Sequence, residues 1–328
     1  MKNKKWLALL AFLIGLTSFI SSAGASEVIS PQQRLAIYYG WPSVVNGAGG
    51  NVTTATNTFA QFDIIVFGAG LEETTHGDHA NTVAVINNLN ALGGKKVFGY
   101  VNLGCTPNPD TTAIKQKINK WSDMNVYGVF LDCAGFDYIG VTRTIQNDIT
   151  DYAHGKGLKV FMNAWNPDHI GGDLNEKGVY QPSRVGAGDW YLAESWLIYS
   201  NTYQSISDWA VKADKCLTYK RNKGIETAVI STNAPSSAQP TDNTTDKFKM
   251  AWWAAAMYGF PFQWSDSWYS AGNNVLNLYP DAVNYGSSFI GDPVHHSAST
   301  SNYRTTDTGT IYVVGDGANT GTGYYTAN

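Results

Sequence analysis

Short apolar runs alternate along the chain with stretches in which apolar residues recur every three or four positions, and the alternation repeats about eight times. The strand-like runs are Leu35 to Trp41, Phe62 to Gly68, Lys96 to Leu103, Tyr127 to Asp132, Leu158 to Ala164, Trp190 to Glu194, Thr227 to Asn233 and Pro261 to Asp266. Between them, helices are predicted over Asn81 to Leu92, Thr111 to Met124, Val141 to Lys156, Ser205 to Asn222 and Asp246 to Tyr258. Val83, Ile86, Leu89 and Leu92, or Ile114, Ile118 and Trp121, mark single helical faces, and Gly155-Lys156-Gly157 reads as a helix stop.

Eight βα repeats over about 250 residues predict a closed (β/α)₈ barrel rather than an open doubly wound sheet. No G-x-G-x-x-G opens a helix after the first strand, and Gly47-Ala48-Gly49-Gly50 reads as loop, so no cofactor is expected. Residues 42 to 58 and 165 to 188 form the two long loops that would shape a cleft. Beyond about Pro280, Gly, Ser, Thr and Asn punctuate short β-like pieces such as Thr310 to Val314. The expected organisation is a leader over 1–25, a barrel over 26–285 and a β-rich tail over 286–328 that belongs to the same domain, being too short for an independent core.

In such a barrel the C-terminal ends of the strands converge on one mouth, where active sites collect. Read at those ends, the chain offers Tyr39 and Trp41, Asn102, Asp132, Asn163 and Trp165, Glu194, and Trp264 with Asp266. Asp132 ends an otherwise apolar run, and Glu194 lies two strands further on. Side chains of alternate strands share a layer, so the two carboxylates are expected to face each other. A facing carboxylate pair suits glycoside hydrolysis, with Glu194 as acid/base, Asp132 as nucleophile, and a separation near ~5 Å favouring retention. Trp165, Trp196 or Trp264 would desolvate the acid, and Asn163 would hold the other carboxylate. Trp41, Trp165 and Trp264 are candidate sugar platforms, Asp266 a partner for a sugar hydroxyl or amine, and Asp63, at a strand start, a structural acid.

Composition narrows the ligand and the compartment. Lys2, Lys4 and Lys5, the apolar stretch Trp6 to Ile20 and Ala23-Gly24-Ala25 form a secretory leader, which predicts a secreted, extracellular or periplasmic protein with no membrane insertion after cleavage. Without the leader, 19 basic residues face 26 acidic ones, a formal charge of −7, which argues against nucleic acid. The content of 11 Trp, 19 Tyr and 13 Phe suits a neutral partner that stacks on rings, such as a polysaccharide. Cys105 and Cys133 follow neighbouring strands and are open to bridging, with buried thiols, Cys216 included, as the favoured reading. The pairs His76/His79 and His295/His296 read as solvated loop residues rather than a metal site.

The segments VFGYVNLG (97–104), YGVFLDC (127–133), VFMNAW (160–165) and YLAES (191–195) resemble the third to sixth strands of secreted spherulin-4-like and endo-α-1,4-polygalactosaminidase-like glycoside hydrolases. The resemblance implies a (β/α)₈ enzyme acting on an amino-sugar polymer, with Asp132 and Glu194 as its catalytic carboxylates. Cys133 stands where many spherulin-4-like members carry a second acid. The expectation is therefore a polysaccharide-cleaving glycosidase, or else an inactive barrel that binds carbohydrate or serves a surface structural role.

Overall fold

The computed structural model describes residues 27–204, 209–234, 245–278, 283–295, 301–315 and 320–328, so the expected leader and His296 lie outside the described residues. Eight parallel strands form one sheet: β1 (Leu35–Tyr38), β2 (Ile64–Phe67), β3 (Lys96–Asn102), β4 (Gly128–Asp132), β5 (Lys159–Asn163), β6 (Trp190–Ala193), β7 (Glu226–Ala234) and β8 (Phe262–Asp266). Each follows its sequence neighbour around the sheet, in register from β1 through β8. The strands have apolar side chains in both phases because both faces are covered. Leu35, Ile37, Ile64, Val66, Phe98, Phe130, Phe161, Leu192 and Ile230 fill the barrel, while residues of the opposite phase pack under the helices.

Closure between β8 and β1 rests on one parallel bridge, Arg34 to Phe262, and on a side chain that imitates a strand. The buried Gln263 amide accepts from Ile37 N–H at 2.6 Å and donates to Ile37 C=O at 3.0 Å. It thus satisfies both backbone groups that an unpaired barrel strand would leave buried.

The helices are α1 (Val52–Phe59), α2 (His79–Leu92), α3 (Thr111–Asp123), α4 (Arg143–Gly155), α5 (Asp168–Gly171), α6 (Trp209–Lys223) and α7 (Asp246–Tyr258). Side-chain oxygens cap the first turns of several: Asp110 accepts from Thr112 and Ala113 N–H, Thr142 from Ile145, and Thr245 from Phe248. The two long loops are more structured than the sequence suggests. Residues 42 to 58 hold a 3₁₀ turn (Pro42–Gly47) and α1, whose polar composition hid a buried face of Ala55, Thr56 and Phe59. Asn51 caps α1 by accepting from Thr54 N–H at 3.0 Å. The loop 165–188 carries α5, and the buried guanidinium of Arg143 donates to the carbonyls of Asp168, Ile170, Gly172 and Leu174, fixing its course.

The tail forms a separate antiparallel sheet of β9 (Ser288–His295), β10 (Ser301–Thr306), β11 (Gly309–Gly315) and β12 (Gly321–Ala327), with Glu27–Val28 added at its edge. Its partner is α7, which from Met250 to Tyr258 is buried on all sides, as a helix must be when covered on both faces. Phe248 packs on Phe262 and Trp264 of the barrel, whereas Trp253 stacks on Tyr325 of the sheet. The backbone of β12 lies so close to α7 that a Cβ at Gly323 would come within 2.6 Å of Lys249 O and of Trp253 Cβ. Arg304, fully buried, ties the sheet down by donating to Met257 O at 2.9 Å and to Glu27 at 2.8 Å.

Candidate active site

Asp132, Asn163 and Glu194 follow the inward-facing Phe130, Phe161 and Leu192 by two residues each, so strand alternation sends all three into the barrel mouth. There Asn163 Nδ2 donates to Asp132 Oδ1 at 2.9 Å and to Glu194 Oε2 at 2.9 Å. The two carboxylates thus share one amide as their hinge. Asp132 Oδ1 also accepts from Cys133 N–H at 2.9 Å, and its Oδ2 accepts from Tyr100 O–H at 2.8 Å. Glu194 Oε1 accepts from Tyr269 O–H. Among the described residues no lysine or arginine pairs with either acid.

The two phenols are proton donors by environment. Burial pushes the Tyr100 hydroxyl up, as do the charge and hydrogen bond of Asp132. Burial raises Tyr269 in the same way, helped by Glu194 and then by Asp132. Tyr39 packs edge-on against both rings, at 5.5 Å from Tyr100 and 5.3 Å from Tyr269, and closes the aromatic floor of the site.

Immediately after each acid the chain turns through a left-handed residue, Cys133 at φ 55° and Ser195 at φ 57°. Neither is glycine, so each turn carries backbone strain that the surroundings must hold. At Cys133 a covalent tie does this: Cys105 and Cys133 form a disulfide, correcting the expectation of free thiols. Its Cys105 sulfur lies 3.6 Å from Asp132 Oδ2. The potential ligand atoms of Cys105, Asp132 and Cys133 cluster within 4.8 Å, yet both sulfurs are used in the bridge and supply no thiolate. Cys216 alone is free and buried, and burial pushes its thiol up to about 12.

The other expected site residues divide. Trp41 and Trp165 stand on the rim, 50% and 67% exposed. Trp41 leans on His76, and Trp165 carries the ammonium of Lys212 4.9 Å from its ring. Burial lowers the Lys212 amine, against the opposing pull of Cys216 and Glu194. Asn102 does not join the pair; its amide accepts from Cys105 N–H at 2.9 Å and donates to Thr106, ordering the turn before the disulfide.

Trp264 and Asp266 are corrected from ligand-binding to structural roles, because both share the outward phase of Phe262. Trp264, 1% exposed, packs on Phe248 beneath α7. Asp266, also 1% exposed, accepts from Trp268 N–H at 2.7 Å and from Ser270 N–H, closing its own loop. Trp196 packs on Trp209 and Phe260, outside the mouth. His295 is likewise no solvated loop residue, since it bonds Tyr258, Asp214 and Asn302 beneath the tail sheet. His76 and His79 bond within their own loop, to Asp78 N–H and Leu71 C=O, and Asp63 is structural, accepting from Arg34 N–H at 2.9 Å.

Sequence reading missed Tyr100 and Tyr269. Tyr100 sits one layer deeper than the strand end, two residues before Asn102, and a long phenol reaches the mouth from there. Tyr269 comes from the loop after β8 in a left-handed conformation, φ 52°, which no periodicity reveals.

No protein-family model and no curated protein sequence matches the chain. Among solved structures it is similar to a Haloferax volcanii malate synthase pyruvate/acetyl-CoA ternary complex (10% identity, TM-score 0.44, 72% of this chain and 67% of that one). It is also similar to dihydrodipicolinate synthase from Agrobacterium tumefaciens (10%, 0.40, 71% and 69%) and N-acetylneuraminate lyase from Mycoplasma synoviae (10%, 0.38, 73% and 70%). These are likenesses of fold between this chain and barrel enzymes. The expectation of a polysaccharide-cleaving glycosidase, or of its inactive carbohydrate-binding counterpart, is corrected here: no family model and no curated relative supports it.

Proposed function

We propose that the protein is a proton-transfer enzyme of the lyase or isomerase kind, acting at a carbon beside a carbonyl in a small, neutral, oxygen-rich substrate. One observation carries this reading: two carboxylates joined through a single amide, each with a half-buried tyrosine hydroxyl on its outer oxygen. A carboxylate removes a proton, and a phenol kept protonated by its surroundings stabilises the oxygen on which charge develops.

The donor count separates the roles. Asp132 accepts from an amide, a backbone N–H and a phenol, so it serves as the fixed charge that orients Asn163 and Tyr100. Glu194 accepts from two donors and keeps more lone-pair capacity for a substrate proton. It takes the proton from carbon and returns it to the adjacent carbon in an isomerisation or to the leaving oxygen in an elimination; on being protonated, Glu194 releases the single O–H of Tyr269, which turns to the substrate oxygen. Two carboxylates without a paired cation disfavour phosphorylated and other polyanionic substrates. The disulfide beside Asp132 suits an oxidising compartment, in keeping with export by the leader.

The test is proton exchange. Purified mature protein is incubated in deuterium oxide with a panel of aldoses, ketoses and hydroxy ketones, and deuterium incorporation or product formation is read by mass spectrometry. Exchange beside the carbonyl that disappears in Glu194→Gln supports the proposal; exchange that persists in that variant, or absence of exchange across the panel, overturns it.

A further inference from the structure

At the mouth, the donors of Asn163, Tyr100 and Tyr269 are all spent on the two acids. Asn163 gives one N–H to Asp132 and the other to Glu194, and the single O–H of each phenol goes to the same two carboxylates. A substrate oxygen entering this site needs a donor that these four bonds do not leave free. Tyr39 has one. It lies one residue beyond β1, continues the inward phase of Leu35 and Ile37, and makes edge contact with both Tyr100 and Tyr269. Its backbone N–H donates to Tyr269 O at 2.8 Å, and Gly68 makes room for its ring, since a Cβ there would lie 3.2 Å from Tyr39 Cδ1. Among the described residues the Tyr39 hydroxyl has no hydrogen-bond partner, and it is not sealed from solvent.

Strand order divides the mouth into two walls. Asp132, Asn163 and Glu194 come from the adjacent strands β4, β5 and β6, whereas Tyr39, Tyr100 and Tyr269 come from β1, β3 and the loop after β8, the remaining arc of the barrel. When Glu194 takes a proton from carbon, negative charge develops on the oxygen of the neighbouring carbon, on the side away from the acids. A fixed phenol there gains strength as that charge grows. Burial holds the Tyr39 hydroxyl well above the usual phenol range, and Asp132, Tyr100, Tyr269 and Glu194 add to the rise, so it keeps its proton. Tyr138, whose hydroxyl is likewise unpartnered among the described residues and is raised by burial and then by Asp132, comes from the loop after β4, on the wall of the acids themselves.

We infer that the Tyr39 hydroxyl is the donor that binds the carbonyl oxygen of an aldehyde or ketone substrate and holds it as charge develops, with Tyr269 joining it once Glu194 is protonated. No bond to Tyr39 forms and its proton stays on the phenol; the proton that moves is the one Glu194 takes from carbon. The inference rests on the proton-transfer reading of this site and adds to it the group that decides which substrate oxygen faces away from the acids.

The experiment takes the panel member that wild type exchanges and measures kcat and KM for exchange in Tyr39→Phe, with Tyr138→Phe alongside. Tyr39→Phe keeps the ring against Tyr100 and Tyr269 and removes only the hydroxyl. A bond to a neutral carbonyl replaces one to water and gains most in the transition state, so kcat is expected to fall at least about 100-fold, with KM within about twofold and Tm unchanged. Tyr138→Phe is expected to stay within about threefold of wild type. A fluorinated tyrosine incorporated at position 39 keeps the shape and makes the hydroxyl more acidic, so the basic limb of the pH–rate profile is expected to move to lower pH, which packing alone would not cause. Three results overturn the inference while Glu194→Gln still abolishes exchange: Tyr39→Phe keeping more than about half of the wild-type kcat, an unmoved basic limb in the fluorinated protein, or a loss in Tyr138→Phe as deep as that in Tyr39→Phe. Absence of exchange by wild type overturns the reading of function and this inference together.

Discussion

Three carboxylates sit at or just beyond strand ends on the same face of this barrel, and they are used in opposite ways. Asp132 and Glu194 are half-buried and accept from side chains of other strands and loops, namely Asn163, Tyr100 and Tyr269. Asp266 is fully buried and accepts chiefly from backbone N–H groups of its own loop. Residue type and position along the strand are the same in both cases. Phase differs: Asp132 and Glu194 continue the inward set of Phe130 and Leu192, whereas Asp266 continues the outward set of Phe262 and Trp264. A carboxylate held by side chains from elsewhere leaves its strand free to present it to a ligand. One consumed by its own loop is a turn.

The largest expected effect tests that division directly. Asp132→Asn and Glu194→Gln should each lower the reaction rate by at least about a thousandfold, some 4 kcal/mol of transition-state stabilisation, with little change in Tm. Asp266→Ala should do the reverse, losing about 2 kcal/mol of stability in urea unfolding through its orphaned N–H groups while the folded fraction keeps its rate. A catalytic loss in purified, folded Asp266→Ala as deep as that of Glu194→Gln would erase the distinction.

Tyr269→Phe separates the two carboxylates from each other. Removing the hydroxyl leaves Glu194 with the Asn163 hydrogen bond alone among those that hold it. The rate is expected to fall about 10- to 100-fold, and the acidic limb of the pH–rate profile to move. An unchanged profile would show that the phenol only packs against Tyr39.

The barrel was legible in the sequence because its strands are buried on both faces and its helices are not, so two periods alternate along the chain. All eight barrel strands begin within two residues of their expected starts, and β8 ends at Asp266 as expected. The Asp132/Glu194 pairing was legible for the same reason, since counting strands places them. What was not legible depends on contacts that periodicity cannot encode. Gln263 replaces a stretch of ladder at the seam, the polar helix α1 is hidden in a loop-like composition, and Tyr269 returns to the mouth from a turn. Trp264 shows the converse error: an aromatic residue near a strand end looks like a sugar platform until its phase is known. The tail's attachment was written in α7, whose apolar residues from Met250 to Tyr258 demand a second cover.

The smallest effect concerns a carboxylate far from the mouth that, like Asp132 and Glu194, accepts from a tyrosine hydroxyl. Asp214 on α6 accepts from Tyr258 O–H at 2.6 Å and pairs with His295 of β9 at 3.2 Å. Its hydrogen bond raises the His295 imidazole above the usual histidine range, with burial opposing and Asn302 adding to the rise. A raised folded-state value means that protonated His295 favours the docked sheet. That contribution is complete below the unfolded histidine value of about 6.5 and fades as pH rises through the folded value above it. Both side chains are partly exposed, so the effect is modest. Wild type should lose a few degrees of Tm, relative to His295→Gln, between pH 6 and pH 8.5, and the variant should show a flatter profile. Activity per folded molecule should be indifferent to the substitution, because a phenol-bonded carboxylate outside the mouth has only a neighbouring strand to hold. If His295→Gln instead shifts the pH–rate profile as Tyr269→Phe is expected to do, the tail sheet is coupled to the mouth, and position in the barrel no longer separates the two kinds of acid.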